Sequence, residues 1–75
     1  MNATVKIGRM LEAARVTAGV TKAELARRLN SNPSYIGHVE MGRKNITIAT
    51  LVKFTEALGC DLDVIVTPRI DMSRH

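Results

Sequence analysis

Two capping signatures, at Thr21 and Asn32, constrain what this chain can fold into more tightly than any other feature. Thr21 and Glu24 stand in a T-x-x-E arrangement. There the threonine hydroxyl accepts from the glutamate backbone N–H, and the glutamate side chain reaches back to the threonine N–H. Val20 and Leu25 occupy the positions of a hydrophobic staple around that cap. Ala23, Ala26 and Leu29 then share one helical face, with Leu25 beside them. Asn30 is a stop, because asparagine tolerates the left-handed conformation of a helix C-terminus better than other non-glycine residues. Asn32 followed by Pro33 is a restart: a capping side chain, then proline at the first helical position, where its missing N–H costs nothing. Two short helices joined by about three residues must cross at a large angle.

The remaining chain has to form one core around that unit. It has 75 residues, 45% hydrophobic and 24% charged, which suits one small folded domain whose core is marginal unless its helices pack well or the protein associates. The net charge of +4 is unevenly placed. Lys6, Arg9 and Arg15 face Glu12 in residues 1–21, and Lys22, Arg27, Arg28, Arg43 and Lys44 face Glu24 and Glu40 in residues 22–45. In residues 46–75, Lys53, Arg69 and Arg74 are outnumbered by Glu56, Asp61, Asp63 and Asp71. The positive charge thus gathers on the half that carries the two capped helices, which suits a polyanion at that face. Tyr35 and Phe54 are the only aromatics, so base stacking on an aromatic platform is poorly supported. Cys60 is the only cysteine and excludes both an internal disulfide and a cysteine-built zinc site. No signal peptide or membrane span is legible, and the expected location is the cytoplasm.

The order of the parts resembles the XRE-type helix-turn-helix family of phage repressor and Cro proteins. The resemblance rests on IGRML at Ile7 to Leu11, Arg15, GVT at Gly19 to Thr21 and ELA at Glu24 to Ala26, then SYIGHVEMG at Ser34 to Gly42 and TLVKFTEALG at Thr50 to Gly59. It spans residues 5–60, and its specificity lies in the combined spacing, since each piece alone is common. The version KNITIATL, with Ile46 where the family commonly has proline, is similar to small controller proteins of restriction–modification systems. The resemblance implies a mainly α, four-helix repressor-like DNA-binding domain over residues 1–60. It implies no cofactor and no metal. It also implies that Arg15 pairs with Glu40, tying the first helix to the third, and that Lys22, Tyr35 and the loop of Arg43, Lys44 and Asn45 lie along phosphates.

The rest follows in chain order. Met1 to Thr4 is expected as a loose arm, either a disordered terminus or a contact to DNA or a second subunit. Residues 5–18 form the first helix, with Ile7, Met10, Leu11, Ala14 and Ala18 as one apolar stripe closed by Gly19. Lys22 opens the second helix, whose positive end favours phosphate. Arg27 and Arg28 read as solvated surface charge. Residues 33–40 form the candidate recognition helix, with Ile36 and Val39 inward. Its N-terminal residues would meet base edges in a major groove. The base-facing set is Asn32, Pro33, Ser34, Gly37 and His38, with apolar contact to a thymine methyl from Pro33 and the Asn32 stem and hydrogen bonds from Ser34 and His38. Gly37 costs about 1 kcal/mol against alanine inside a helix, so either DNA approaches closely there or the site is merely tolerant. The face has no Gln or Arg, the strongest bidentate readers, and Ser31 stands where the family has an apolar residue. His38 has no second ligand at metal spacing. Thr47 caps a fourth helix running to Leu58, with Ile48, Leu51, Phe54 and Leu58 as its buried stripe.

After Gly59 the period shortens to two: Leu62, Val64 and Val66 alternate with Asp63, Ile65 and Thr67, and Pro68 ends the run. This predicts a β-strand within residues 61–70, with 71–75 a frayed tail. A lone strand leaves its backbone unpaired, so its natural partner is the same strand of a second subunit across a two-fold axis, with Leu62, Val64, Ile65 and Val66 as dimer contacts; the alternatives are an intrachain partner, which no other segment supplies, or a disordered tail. The function expected is a dimeric, sequence-specific regulator on a roughly palindromic double-stranded operator. The alternative is an antitoxin that binds a toxin protein and regulates its own operon. Nothing resembles a nucleophile–base pair, paired carboxylates or a phosphate loop, so an enzyme is not expected.

Overall fold

The computed structural model describes residues 2–66, which form four helices. These are α1 (Ala3–Thr17), α2 (Lys22–Arg28), α3 (Pro33–Glu40) and α4 (Ile48–Ala57). Each begins on a polar cap. Asn2, Thr21, Asn32 and Thr47 accept, through their side chains, the backbone N–H of Val5, Glu24, Tyr35 and Thr50 respectively. Each also ends the same way. The residue after the last helical turn takes positive φ, at Gly19, Asn30, Gly42 and Gly59, and the next N–H turns back onto a carbonyl of the final turn. Orphan groups at both ends of every helix are thereby satisfied within a few residues of sequence.

The core is built from Leu11, Val20, Leu25, Ala26, Ile36, Val39, Leu51, Phe54 and Leu58. Phe54, Leu25, Ile36 and Val39 are the largest fully enclosed side chains, each contributing about 1.5–3 kcal/mol through burial. The deepest layer is therefore shared by α2, α3 and α4, with α1 laid across it through Leu11.

Several expectations are corrected. There is no loose arm at Asn2 to Thr4: Asn2 caps α1, and Ala3 and Thr4 are in its first turn. Met1 lies outside the described residues. Met10 is 65% exposed and Ala18 is exposed, because α1 turns Gly8 and Arg15 toward α3. Met10 instead borders a groove shared with Leu51, Cys60 and Leu62. Ala23 is also exposed. Ile48 is 61% exposed, whereas Ile46, just before the cap, packs against the core. Thr55 is buried instead, its hydroxyl donating to the Val52 carbonyl.

Residues 61–66 follow α4 with neither helix nor strand. Leu62 packs against the core, while Val64, Ile65 and Val66 are exposed. A ladder needs a second strand, and none exists among the described residues. The remainder of the expected strand, Thr67 to Ile70, and the tail 71–75 lie outside the described residues.

Candidate nucleic-acid interface

The C-terminal end of α3 is held by α1. The Arg15 guanidinium donates to both Glu40 carboxylate oxygens, from Nε at 2.6 Å and from a terminal nitrogen at 3.0 Å, and donates again to the Val20 carbonyl at 2.9 Å. Both residues are buried. The hydrogen bonding of Arg15 to the Glu40 carboxylate is the largest influence raising the Arg15 pKa above its ordinary value, opposed by burial and aided by the charges of Glu40 and Glu12. The geometry is the planar fork that guanidinium and carboxylate share.

Gly8 makes that junction possible. A Cβ there would sit 2.5 Å from the Val39 carbonyl oxygen and 2.7 Å from that of Glu40. The α1 backbone therefore touches the last turn of α3 directly. Gly42, in the turn that follows, has φ +76° and would place a Cβ 2.7 Å from Val5. Neither contact is visible in hydrophobic periodicity. The only sequence signal for Gly8 is the Ile-Gly-Arg opening, and its physical reason is the close approach of the α3 carbonyls.

The N-terminal end of α3 is open. Asn32, Pro33 and Ser34 are exposed, and His38 is half-buried on the same side. Ser31 is exposed in the turn, its N–H donating to the Ala26 carbonyl. Tyr35 inclines its ring onto Phe54, centroids 6.3 Å apart, so the residue assigned to phosphate also closes the core over α4. Gly37 departs from the outward position assigned to it. It is buried, and the atom nearest to a Cβ built there is the Lys22 Nζ, at 3.9 Å. Lys22 itself is exposed, so its chain runs from α2 across the side of α3.

The charge on α2 is more restrained than the sequence suggested. Glu24 does not close the second half of a capping box; its carboxylate accepts from Arg27 and Arg28. The Arg27 hydrogen bond, supported by that of Arg28, holds the Glu24 carboxyl well below its usual value, at about 2. Arg28 also donates to the Ala57 carbonyl at 2.8 Å, which joins the end of α2 to the end of α4. Lys22 is thus the α2 cation without an acidic partner among the described residues.

Arg43, Lys44 and Asn45 are exposed in the loop after α3. The Arg43 N–H closes the α3 terminus by donating to the His38 carbonyl. The Thr4 hydroxyl donates to the Asn45 carboxamide oxygen at 2.9 Å, which ties the loop to the first turn of α1 and leaves the amide NH2 as its donor end. Of the expected set, Lys22 approaches α3 at Gly37; Asn32, Pro33 and Ser34 are exposed at the N-terminal end of α3; and Arg43, Lys44 and Asn45 lie beyond its C-terminal end, next to the first turns of α1. Among the described residues no cluster of His, Cys, Asp or Glu could hold a metal ion. No described helix is long and apolar enough to cross a membrane.

Two short helices crossing over a shared core, the second braced at its end by a third helix, define a helix-turn-helix unit. The chain belongs to the helix-turn-helix family, whose model matches residues 11–65. It is 33% identical over 55 residues to the transcriptional regulator RamB of Mycobacterium tuberculosis, a match covering 73% of this chain but 12% of RamB. It is 36% identical over 50 residues to an uncharacterised helix-turn-helix-type transcriptional regulator of Sinorhizobium fredii, covering 67% of this chain and 65% of that one. The fold superimposes on the clp gene regulator ClgR of Corynebacterium glutamicum with a TM-score of 0.80 at 31% identity, over 83% of this chain and 80% of that chain. It also superimposes on the restriction–modification controller protein C.AhdI of Aeromonas hydrophila with a TM-score of 0.72 at 31% identity, over 77% and 84% of the two chains. Each of these relatives is named as a regulator or a controller protein, and none as an enzyme.

Proposed function

We propose that this chain is a sequence-specific, double-stranded DNA-binding transcriptional regulator that acts as a homodimeric repressor, with α3 in the major groove. The observation that carries the reading is the asymmetry of α3: its C-terminal end is clamped by Gly8 and Arg15, and its N-terminal residues Asn32, Pro33 and Ser34 are exposed. Asn32, Pro33, Ser34 and His38 would face base edges, with Gly37 contributing space rather than a side chain. Tyr35, Arg43, Lys44 and Asn45 would lie along phosphates, with Lys22 at the boundary between the two sets. The regulatory names of RamB, ClgR and C.AhdI support the same class. Such a function fits a cytoplasmic protein with a free Cys60.

Two subunits would place their α3 helices on half-sites about 34 Å apart, one turn of the duplex, on a roughly palindromic operator. The dimer would form through Leu62, Val64, Ile65 and Val66. Support comes from the exposure of Val64, Ile65 and Val66, at 57%, 81% and 88%, in an apolar run with period two. The same exposed run favours a second reading, an antitoxin that holds a toxin protein there and regulates its own operon. Sedimentation of the full chain and of a chain ending at Cys60 separates these outcomes. A dimer that becomes a monomer supports the strand, and an unchanged dimer refutes it. A monomeric full chain that co-purifies with a protein encoded beside it supports the antitoxin. Selection from a random DNA pool tests the regulator itself, which requires a preferred site.

A further inference from the structure

We infer that Lys22 is a base-reading residue whose ammonium is carried onto the reading face of α3 by the missing side chain of Gly37, and that its target is the O6/N7 edge of a guanine. The inference rests on the DNA-binding reading above and deepens it.

Three observations support the assignment. The Lys22 Nζ lies 3.9 Å from where a Gly37 Cβ would be, and no other atom outside that helix comes within 4 Å of that point. Gly37 is buried, and the Lys22 ammonium is the group from outside the helix that approaches its Cα side. Position 37 also lies one turn beyond Pro33 and Ser34 and next to His38, so the ammonium stands over the middle of the reading face and not at its edge. Finally, Lys22 has no carboxylate partner among the described residues, since Glu24 is engaged by Arg27 and Arg28. Its donors are therefore available in full.

The chemistry then selects the base. An ammonium only donates, so it favours an edge that only accepts. Guanine offers N7 and O6 side by side in the major groove, whereas adenine sets an amino donor beside its N7. A face that contains neither Gln nor Arg between residues 33 and 38 would thus borrow its strongest reader from α2. A longer side chain at position 37 would occupy the space through which the lysine passes.

The test is a random-pool selection at one salt concentration with the wild-type chain and with Lys22→Met, Lys22→Arg and Lys44→Met. Helicity is checked by circular dichroism. Lys22→Met is expected to lower the preference for guanine at one position of each half-site by about tenfold, leaving the other positions unchanged. Lys22→Arg is expected to keep that guanine, and Lys44→Met to weaken all sequences by a common factor with an unchanged profile. The inference is overturned if Lys22→Met behaves as Lys44→Met does. A wild-type chain that selects no site at all overturns the DNA-reading proposal along with this one, and that failure is recognised without any variant.

Discussion

The two ends of α3 are built to opposite specifications. At the C-terminal end, backbone meets backbone at Gly8, a bidentate ion pair is buried, and the following turn leaves no space beside Val5. At the N-terminal end Asn32, Pro33 and Ser34 are exposed, and one turn further on a Cβ at Gly37 would meet only the flexible Lys22 ammonium, at ordinary contact distance. A recognition helix needs both. Contacts a few ångströms long discriminate only if their carrier is rigidly seated, yet the reading face must stay free to change. The clamp is costly to alter, and the face is cheap.

That contrast is breakable. The largest effect is expected for Glu40→Ala, which leaves the buried Arg15 without its partner and should lower unfolding stability by about 3–5 kcal/mol in urea titrations. Replacing both partners together, Arg15→Met with Glu40→Leu, should recover most of that loss; a double variant as unstable as the single would show that the pair does more than satisfy itself. Next come two identical substitutions at the two ends. Gly8→Ala should destabilise by about 1–3 kcal/mol, since its methyl group meets carbonyl oxygens of α3 at distances no relaxation of a side chain relieves. Gly37→Ala should stabilise by up to about 1 kcal/mol, because the methyl group fits at ordinary contact distance from Lys22 and removes the helical penalty of glycine. Equal shifts in thermal midpoint for the two would erase the asymmetry.

The smallest effect concerns the charge balance of α2. The Glu24 carboxyl is lowered from 4.5 to about 2 by its arginine partners, so it is ionised more readily folded than unfolded. Its contribution is present above the unfolded value of 4.5 and is lost as pH falls toward 2. Glu24→Gln should therefore narrow the difference in urea midpoint between pH 6 and pH 3. The effect is small because the group is solvent-facing and screened.

Helix positions were legible in the residues to a turn or better. Asn30 at positive φ, Pro33 opening α3 and Thr47 opening α4 all stand where capping chemistry put them. Of the candidate interface, the exposure of Asn32, Pro33, Ser34, Arg43, Lys44 and Asn45 was legible, and the geometry was not. Arg28 is surface charge as read but also joins α2 to α4, Met10 and Ile48 read as core and face outward, and the packing of Gly8 against α3 has no signal in the periodicity. The strand expected after Gly59 needs a second strand to pair with, and there is none among the described residues.

The capping side chains and the positive-φ stops are local. Each acts over three to five residues, so spacing was enough to set where α2, α3 and α4 begin and end, while the Asn2 cap of α1 was missed. The seat of α3 on Gly8, the turning of α1 that exposes Met10, and the passage of Lys22 over Gly37 depend on distances between helices far apart in the chain. No period within one helix encodes those distances. They follow from how four short cylinders share one small core, and they are where the proposed specificity resides.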